Sequence, residues 1–196
     1  MSGIIGVIGG TFDPPHIGHL VVAQDAIELL RLDRLIVIPA ARPPHREAVL
    51  DAATRLELVS KAFRGDERVE VSDVELRRDG PSWTVDTLDW VRRGQSPEVL
   101  YLIVGADQFR SFAGWREPRR ILELARLAVM TRPGEEMPVT DVPYDRIDVT
   151  RVDLSSTRIR RRLDEGRSIR YMVPERIRPA VEQAWAVRRA VSRCPG

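Results

Sequence analysis

A short apolar run, Ile4-Ile5-Gly6-Val7-Ile8, stops at the pair Gly9-Gly10, and apolar residues then return on a different period. Leu20, Ala23, Ile27 and Leu30 recur at helical spacing, with Gln24, Asp25, Glu28 and Arg31 on the polar side, before a second nearly continuous apolar run at 35–38. Runs apolar at every position suit strands covered on both faces, and two of them flanking an amphipathic helix, expected at 18–31, make a β-α-β unit. That unit commits the chain to a parallel sheet with helices packed on its faces.

The alternation continues. The spacing predicts a helix at 51–64, a strand at 69–71, a helix from Pro81 to about residue 93, and strands at 99–104, 127–131 and 147–152. Helices follow at 155–165 and from Pro174 onward, the proline suiting a first helical turn. The Pro/Gly/Glu-rich stretch 132–143 reads as a loop. With 196 residues and 43% apolar content, the chain can bury one good core but scarcely two. The expectation is one α/β domain over residues 1–196: a Rossmann-like, doubly wound parallel sheet whose residues 151–196 form a small helical C-terminal part.

Charge and cysteine usage remove several classes. Residues 151–196 carry twelve Arg against five acidic residues, so the C-terminal quarter is basic although the whole chain has a net charge of only +2. Glu165, Glu175 and Glu182 interrupt that basic tract and aromatic residues are sparse in it, which argues against a nucleic-acid surface. The lone Cys194 can form neither an internal disulfide nor a cysteine metal cluster. No stretch approaches the ~20 apolar residues a membrane span needs. A soluble cytoplasmic protein without membrane or nucleic-acid partners is expected, with the oligomeric state, a homo-oligomer included, left open.

In doubly wound sheets ligands bind beyond the carboxyl ends of the strands, where strand order reverses. The stretch Gly9-Gly10-Thr11-Phe12-Asp13-Pro14-Pro15-His16-Ile17-Gly18-His19 lies at such a place. Its glycines admit a ligand close to the backbone, and N–H groups at a helix start favour a phosphate. His16 and His19, one helical turn apart, could donate imidazole N–H bonds to phosphate oxygens, as phosphoryl or nucleotidyl transfer requires. The alternatives are a helix cap or a metal site, although a zinc site would lack a third ligand: His45, the remaining histidine, sits among prolines.

His16-Ile17-Gly18-His19 resembles the signature shared by class I aminoacyl-tRNA synthetases and small nucleotidyltransferases. A synthetase also needs a lysine-rich loop, and Lys61 is the one lysine here. Residues 9–19 are similar to the GGTFDPxHxGH opening of the bacterial nicotinate mononucleotide adenylyltransferases. Four further segments resemble that family's motifs in order. They are Pro43-Pro44-His45-Arg46, with Arg for the common Lys; residues 73–88, DVELRRDGPSWTVDTL, with Trp83 for the usual Tyr; Gly105-Ala106-Asp107 followed by Phe112 and Trp115; and Leu154-Ser155-Ser156-Thr157-Arg158-Ile159-Arg160. Tyr171-Met172-Val173-Pro174 is similar to its YLVP.

The resemblance implies adenylyl transfer from ATP to nicotinate mononucleotide, with Mg²⁺ arriving on the nucleotide; no residue is assigned as a metal ligand, and whether the ion touches the protein, Asp107 being within reach of a phosphate-bound metal, is left open. His16, His19 and Arg160 would act in catalysis. Gly9, Gly10, Thr11, Phe12, Gly18, Gly105, Asp107, Ser155, Ser156 and Thr157 would bind ATP. His45, Arg46, Ser82, Trp83, Thr84 and Trp115 would hold the acceptor, the indoles stacking on pyridine and the N–H groups around Thr84 receiving the carboxylate. Read from the residues alone, Asp107 serves equally as a helix cap, and Ser155-Ser156-Thr157 as an ordinary N-cap. Competing readings are an adenylyl- or cytidylyltransferase acting on phosphopantetheine or glycerol phosphate, and a nucleotide sensor without chemistry.

Overall fold

The computed structural model describes residues 3–44, 47–131 and 137–191. Six parallel strands form one sheet in the order β3-β2-β1-β4-β5-β6. They are β1 (Ile4–Gly10), β2 (Arg34–Pro39), β3 (Val69–Val71), β4 (Val99–Gly105), β5 (Arg126–Thr131) and β6 (Asp145–Asp148). The order reverses between β1 and β4, which pair directly, Ile4 with Val99 through Ile8 with Ile103. This is the doubly wound arrangement expected.

The strand sequences explain the two-sided packing. Ile8, Leu35, Val37, Ile103 and Ala128 point into one core, and Ile5, Val7, Ile36, Ile38, Leu102 and Val129 into the other. Side chains alternate between faces along a strand, so burial on both faces demands an apolar residue at every position. The first core is closed by α1 (Ile17–Leu29), α2 (Ala52–Phe63), α6 (Ser156–Asp164) and α7 (Arg178–Val191), through Ala23, Ile27, Leu58, Ile159 and Trp185 among others. The second is closed by α3 (Thr84–Gln95), α4 (Ala106–Arg110) and α5 (Pro118–Leu124), through Leu88, Phe109 and Ile121. The C-terminal helices thus share the core of the sheet, and the buried Trp185 donates its indole N–H to Asp164 on α6 at 2.9 Å.

Several boundaries move. The last strand occupies Asp145–Asp148, not 147–152: Val149 N–H still donates to the Thr131 carbonyl of β5 at 3.0 Å, but Thr150 N–H turns away to the Asp25 carboxylate on α1. The final helix begins at Arg178, because residues 174–177 form a separate turn closed by Ile177 N–H on the Pro174 carbonyl. Pro179, not Pro174, occupies its first turn. Helix α3 starts at Thr84, and α1 starts at Ile17.

Candidate active site

The carboxyl ends of β1 and β4 flank the crevice where strand order reverses, and they deliver Gly9-Gly10 and Gly105 to its floor. A Cβ at Gly105 would meet nothing within 4 Å, and one at Gly9 only a carbonyl at 4.0 Å, so the floor is open to a ligand. Beyond β1 the chain turns through Phe12, buried at φ 49°, and reaches the start of α1.

The two imidazoles there form a built unit. The rings of His16 and His19 stack with centroids 3.7 Å apart at 26°, and Phe12 meets His19 edge-on at 4.9 Å. His16 backbone N–H donates to His19 Nδ1 at 3.0 Å. With Nδ1 accepting, a neutral His19 carries its hydrogen on Nε2, the nitrogen left to meet a ligand. Capping and ligand binding are therefore compatible roles of one ring. Gly18 is required beside it, since a Cβ would lie 3.1 Å from the Cε1 and Nδ1 atoms of His16.

Burial sets the charge of the pair. His16 is 7% exposed, and desolvation lowers its pKa to about 4. Desolvation, then repulsion from His16, holds His19 well below the usual imidazole range. Both rings are neutral at pH 7. Nδ1 of His16 is buried without a hydrogen-bond partner among the described residues. The helix end contributes less than its sequence suggests: Ile17 N–H is taken by the Met172 carbonyl at 3.0 Å, and His19 N–H by the His16 carbonyl at 2.9 Å. The side-chain donors available at this helix end are therefore chiefly those of the imidazoles.

Helix α6 brings the third expected group. Arg160 Nη1 donates to the Asp13 carbonyl at 2.7 Å and Nη2 to Thr157 Oγ1 at 3.2 Å, which fixes the guanidinium next to the loop before α1. Ser155 is an N-cap, accepting Arg158 N–H at 3.2 Å, and Ser156 Oγ donates to the Pro14 carbonyl at 2.9 Å. Both hydroxyls are thus engaged in holding the loop and the helix together. Asp107 is not a cap: Gly105 takes that position, and the Asp107 carboxylate is 96% exposed, 2.9 Å from Arg110 Nη1.

On the other side of β1 lies the segment after β2. His45 and Arg46 fall outside the described residues. A cavity of about 580 Å³ opens between this segment and the start of α2, lined by Ala41, Arg42, Pro44, Glu47, Asp51 and Arg55 among others, within the volume range of small-ligand sites. Ser82 is joined to this segment: its Oγ accepts Arg42 N–H at 3.1 Å, and its own N–H donates to the Arg42 carbonyl at 3.1 Å. Trp83 is the N-cap residue of α3 and makes no side-chain cap bond; Thr84 is the first helical residue. Trp115 packs at 5.5 Å against Phe112, and the next residue, Arg116, places its guanidinium 5.4 Å from the Trp83 ring centre.

Two residues were missed in the sequence. Arg55 is 1% exposed and clamps four carbonyls: Thr11 at 2.9 Å, Ala40 at 2.6 Å, Ala41 at 3.2 Å and Leu50 at 3.0 Å. Burial pushes its pKa down, and Asp13, Asp51 and Glu75 oppose that shift, so the guanidinium stays charged. Asp13 reciprocates, accepting Val49 N–H at 2.6 Å and Leu50 N–H at 3.2 Å. The loop after β1 and the loop after β2 are thereby tied to each other. The usable signal was Arg55 at a helical core position, between Asp51 and Leu58, where an arginine needs buried partners.

The cytidylyltransferase-like family model matches residues 7–162. A probable nicotinate-nucleotide adenylyltransferase of Thermus thermophilus is 45% identical over 179 residues, covering 91% of this chain and 96% of its own length. A relative of the same description from Gemmatimonas aurantiaca is 43% identical over 183 residues, covering 88% and 87%. Among solved structures, the nicotinic acid mononucleotide adenylyltransferase of Plasmodium falciparum complexed with NaAD superposes with a TM-score of 0.74 at 15% identity, covering 94% of this chain and 95% of that one. That likeness is one of fold.

Proposed function

Because this chain belongs to the cytidylyltransferase-like family and, within it, to the nicotinate-nucleotide adenylyltransferases, we propose that its crevice aligns ATP and nicotinate mononucleotide for direct adenylyl transfer. It is a nucleotidyltransferase of NAD biosynthesis. The products are deamido-NAD and pyrophosphate. The observation that carries the site assignment is the stacked His16–His19 pair at the strand-order reversal, with Arg160 fixed beside the same loop.

The acceptor phosphate is already ionised at neutral pH, so it can attack the α-phosphate of ATP in line without a strong general base. The P–O bond to the acceptor forms as the bond to pyrophosphate breaks, and no residue is adenylylated. Catalysis then rests on alignment and on donors aimed at charge that grows in the transition state. His19, through Nε2–H, and His16 would serve the α-phosphate, and Arg160 the β and γ phosphates. Thr11, Phe12, Gly9, Gly10, Gly18 and Gly105 would shape the nucleotide cradle, with Asp107 toward the ribose and the first turn of α6 at Ser155, Ser156 and Thr157 toward phosphate. Trp83 and Trp115 would border the pyridine, Ser82 and Thr84 the carboxylate end, and His45 and Arg46 the acceptor phosphate.

Mg²⁺ fits as a companion of the nucleotide. Among the described residues no group of three or more His, Cys, Asp or Glu could hold an ion, whereas Asp107, just past the end of β4, offers one exposed carboxylate, paired with Arg110, the sparse protein contribution this ion commonly accepts alongside phosphates. When bound, it would neutralise triphosphate charge.

The proposal treats residues 1–196 as one domain, acting in the cytoplasm on small molecules and not on nucleic acid. Many arginines of the basic tract are engaged internally, Arg178 with Glu175 and Glu182, Arg162 with the Ser168 carbonyl and Arg189 with the Leu163 carbonyl. No described helix is long and apolar enough to cross a membrane.

Pyrophosphate release from MgATP with nicotinate mononucleotide, and separately with nicotinamide mononucleotide, tests the reading. Release with the acid and appearance of deamido-NAD are expected. No release with either acceptor would overturn it in favour of another acceptor or a sensor.

A further inference from the structure

Resting on the functional reading above, we infer that Asp13 is a positioning residue of the transfer reaction, holding Arg160 and the acceptor-side segment at residues 49–50 in one frame. Asp13 is buried in the loop between β1 and α1. Both oxygens of its carboxylate are engaged on backbone: Oδ2 accepts Val49 N–H at 2.6 Å and Oδ1 accepts Leu50 N–H at 3.2 Å. Its main-chain carbonyl accepts Arg160 Nη1 at 2.7 Å, and the same nitrogen lies 3.9 Å from Oδ2. One residue thus touches both of the regions proposed to hold the reacting phosphates.

The side-chain type is demanded by its partners. Two adjacent N–H groups need two acceptor oxygens on one short stem, which a carboxylate has and a carboxamide lacks. A buried carboxylate is costly unless it is bonded and paired. Here the two N–H groups bond it, and Arg55 and Arg160 supply the opposite charge. The grip is matched from the far side, for Leu50 has its N–H on Asp13 and its carbonyl on Arg55 Nε. Helix α6 in turn takes two successive carbonyls of the loop, Asp13 through Arg160 and Pro14 through Ser156 Oγ. A shift of residue 13 would therefore move the segment after β2 and the Arg160 guanidinium together.

In-line transfer puts the attacking phosphate and the departing pyrophosphate on opposite sides of the α-phosphate, and its rate depends steeply on that alignment. On the proposed assignment Arg160 serves the leaving end and the segment after β2 the attacking end. Asp13 touches neither substrate, since its side chain is 4% exposed and both oxygens are engaged. It acts through the groups it holds. A negative charge 3.9 Å from the arginine proposed for the β and γ phosphates opposes the triphosphate, so what Asp13 contributes to the reaction is alignment and not charge.

The test is a double-mutant cycle. Pyrophosphate release with each substrate varied in turn gives kcat and both KM values for wild type, D13N, R160K and D13N/R160K. D13N keeps the shape and one oxygen but turns an NH₂ toward a backbone N–H, donor against donor. It should lower kcat roughly 10–100-fold and raise the KM for nicotinate mononucleotide several-fold, through misalignment and a lost hydrogen bond. R160K keeps the charge without the fork and sets a reference loss. In the D13N background that loss should shrink at least about fivefold, because an arginine already out of aim has less left to lose. A residue that merely held the fold would lower the active fraction, leaving both KM values and the R160K loss unchanged. That outcome, or wild-type kcat in D13N, overturns the role of Asp13. If thermal melting shows that D13N does not fold, D13E, which keeps the charge and displaces the oxygens by a methylene, carries the same cycle. An R160K loss as large in D13E as in wild type then overturns the role. Failure of the wild-type protein to release pyrophosphate with either acceptor overturns the functional reading instead, so the two failures are distinguishable.

Discussion

On the side of the crevice proposed to take the triphosphate, His16 is buried, His19 is wedged between two rings, and Arg160 is hydrogen-bonded to the loop it borders. On the acceptor side Trp83 caps α3 without a side-chain bond, Arg116 and Glu117 are mostly in solvent, and Ser82 is held by a backbone pair with Arg42. The first side has its donors set before any substrate arrives, at the cost of desolvated imidazoles. The second side keeps more of its groups in contact with water. On the proposed assignment, preorganisation sits where charge would develop in the transition state, and solvent exposure where the acceptor would bind.

The contrast can be broken at the residue that joins the sides. Arg55→Met leaves four buried carbonyls without a donor and should lower the unfolding free energy by about 3–5 kcal/mol, read from urea midpoints. A loss below about 1 kcal/mol would mean that the loops hold each other without it. His19→Ala should reduce kcat by about 10²–10³-fold, the usual effect of deleting one preorganised donor. Its stability should fall by only about 1 kcal/mol, for the lost cap. Near-full turnover would remove His19 from the chemistry.

A pH series sharpens the same contrast. The unfolded chain takes up protons on histidine near pH 6.5, whereas folded His16 resists them until about pH 4. Its contribution is therefore fully present above pH 6.5 and is lost as pH falls toward 4, a change of about 3 kcal/mol for His16. His19 acts in the same direction. His16→Asn, which keeps a good N-cap residue, should show a smaller difference in urea midpoint between pH 7 and pH 4.5 than wild type; equal differences would show that ring burial is not the source. The smallest effect is expected on the acceptor side. Ser82→Ala removes one hydrogen bond to Arg42 N–H and should raise the acceptor KM several-fold, about 1 kcal/mol, without changing the KM for ATP.

What could be read from the sequence follows from the length and environment of each element. The central strands declared themselves because both faces are buried, and β3 at Val69–Val71 lay where it was expected. The edge strand Asp145–Asp148 did not, since only Ile147 of its four residues is buried, while the apolar Val149 and Val152 beyond it drew the expectation downstream. Helices α4 and α5, five and seven residues long, are too short to show a helical period. At the site, the residue types of 9–19 pointed to the imidazoles. Their stacking depends on ring orientations that residue spacing does not fix, and the diversion of Ile17 N–H to Met172 is a contact across more than 150 residues of chain. Arg55 escaped because its partners are carbonyls, which every residue possesses.

The Arg55 clamp also marks where this fold can be recombined. Any exchange of the acceptor loop must splice inside the carbonyls of Ala41 and Leu50, because those two anchor points are shared with Thr11 at the nucleotide end. Inserts joined between residues 42 and 49 inherit a ready-made nucleotide half; inserts that replace either anchor dismantle it. On the proposed assignment, acceptor preference would be a cassette with fixed junctions, and lengthening or shortening it should leave the other half of the site in register.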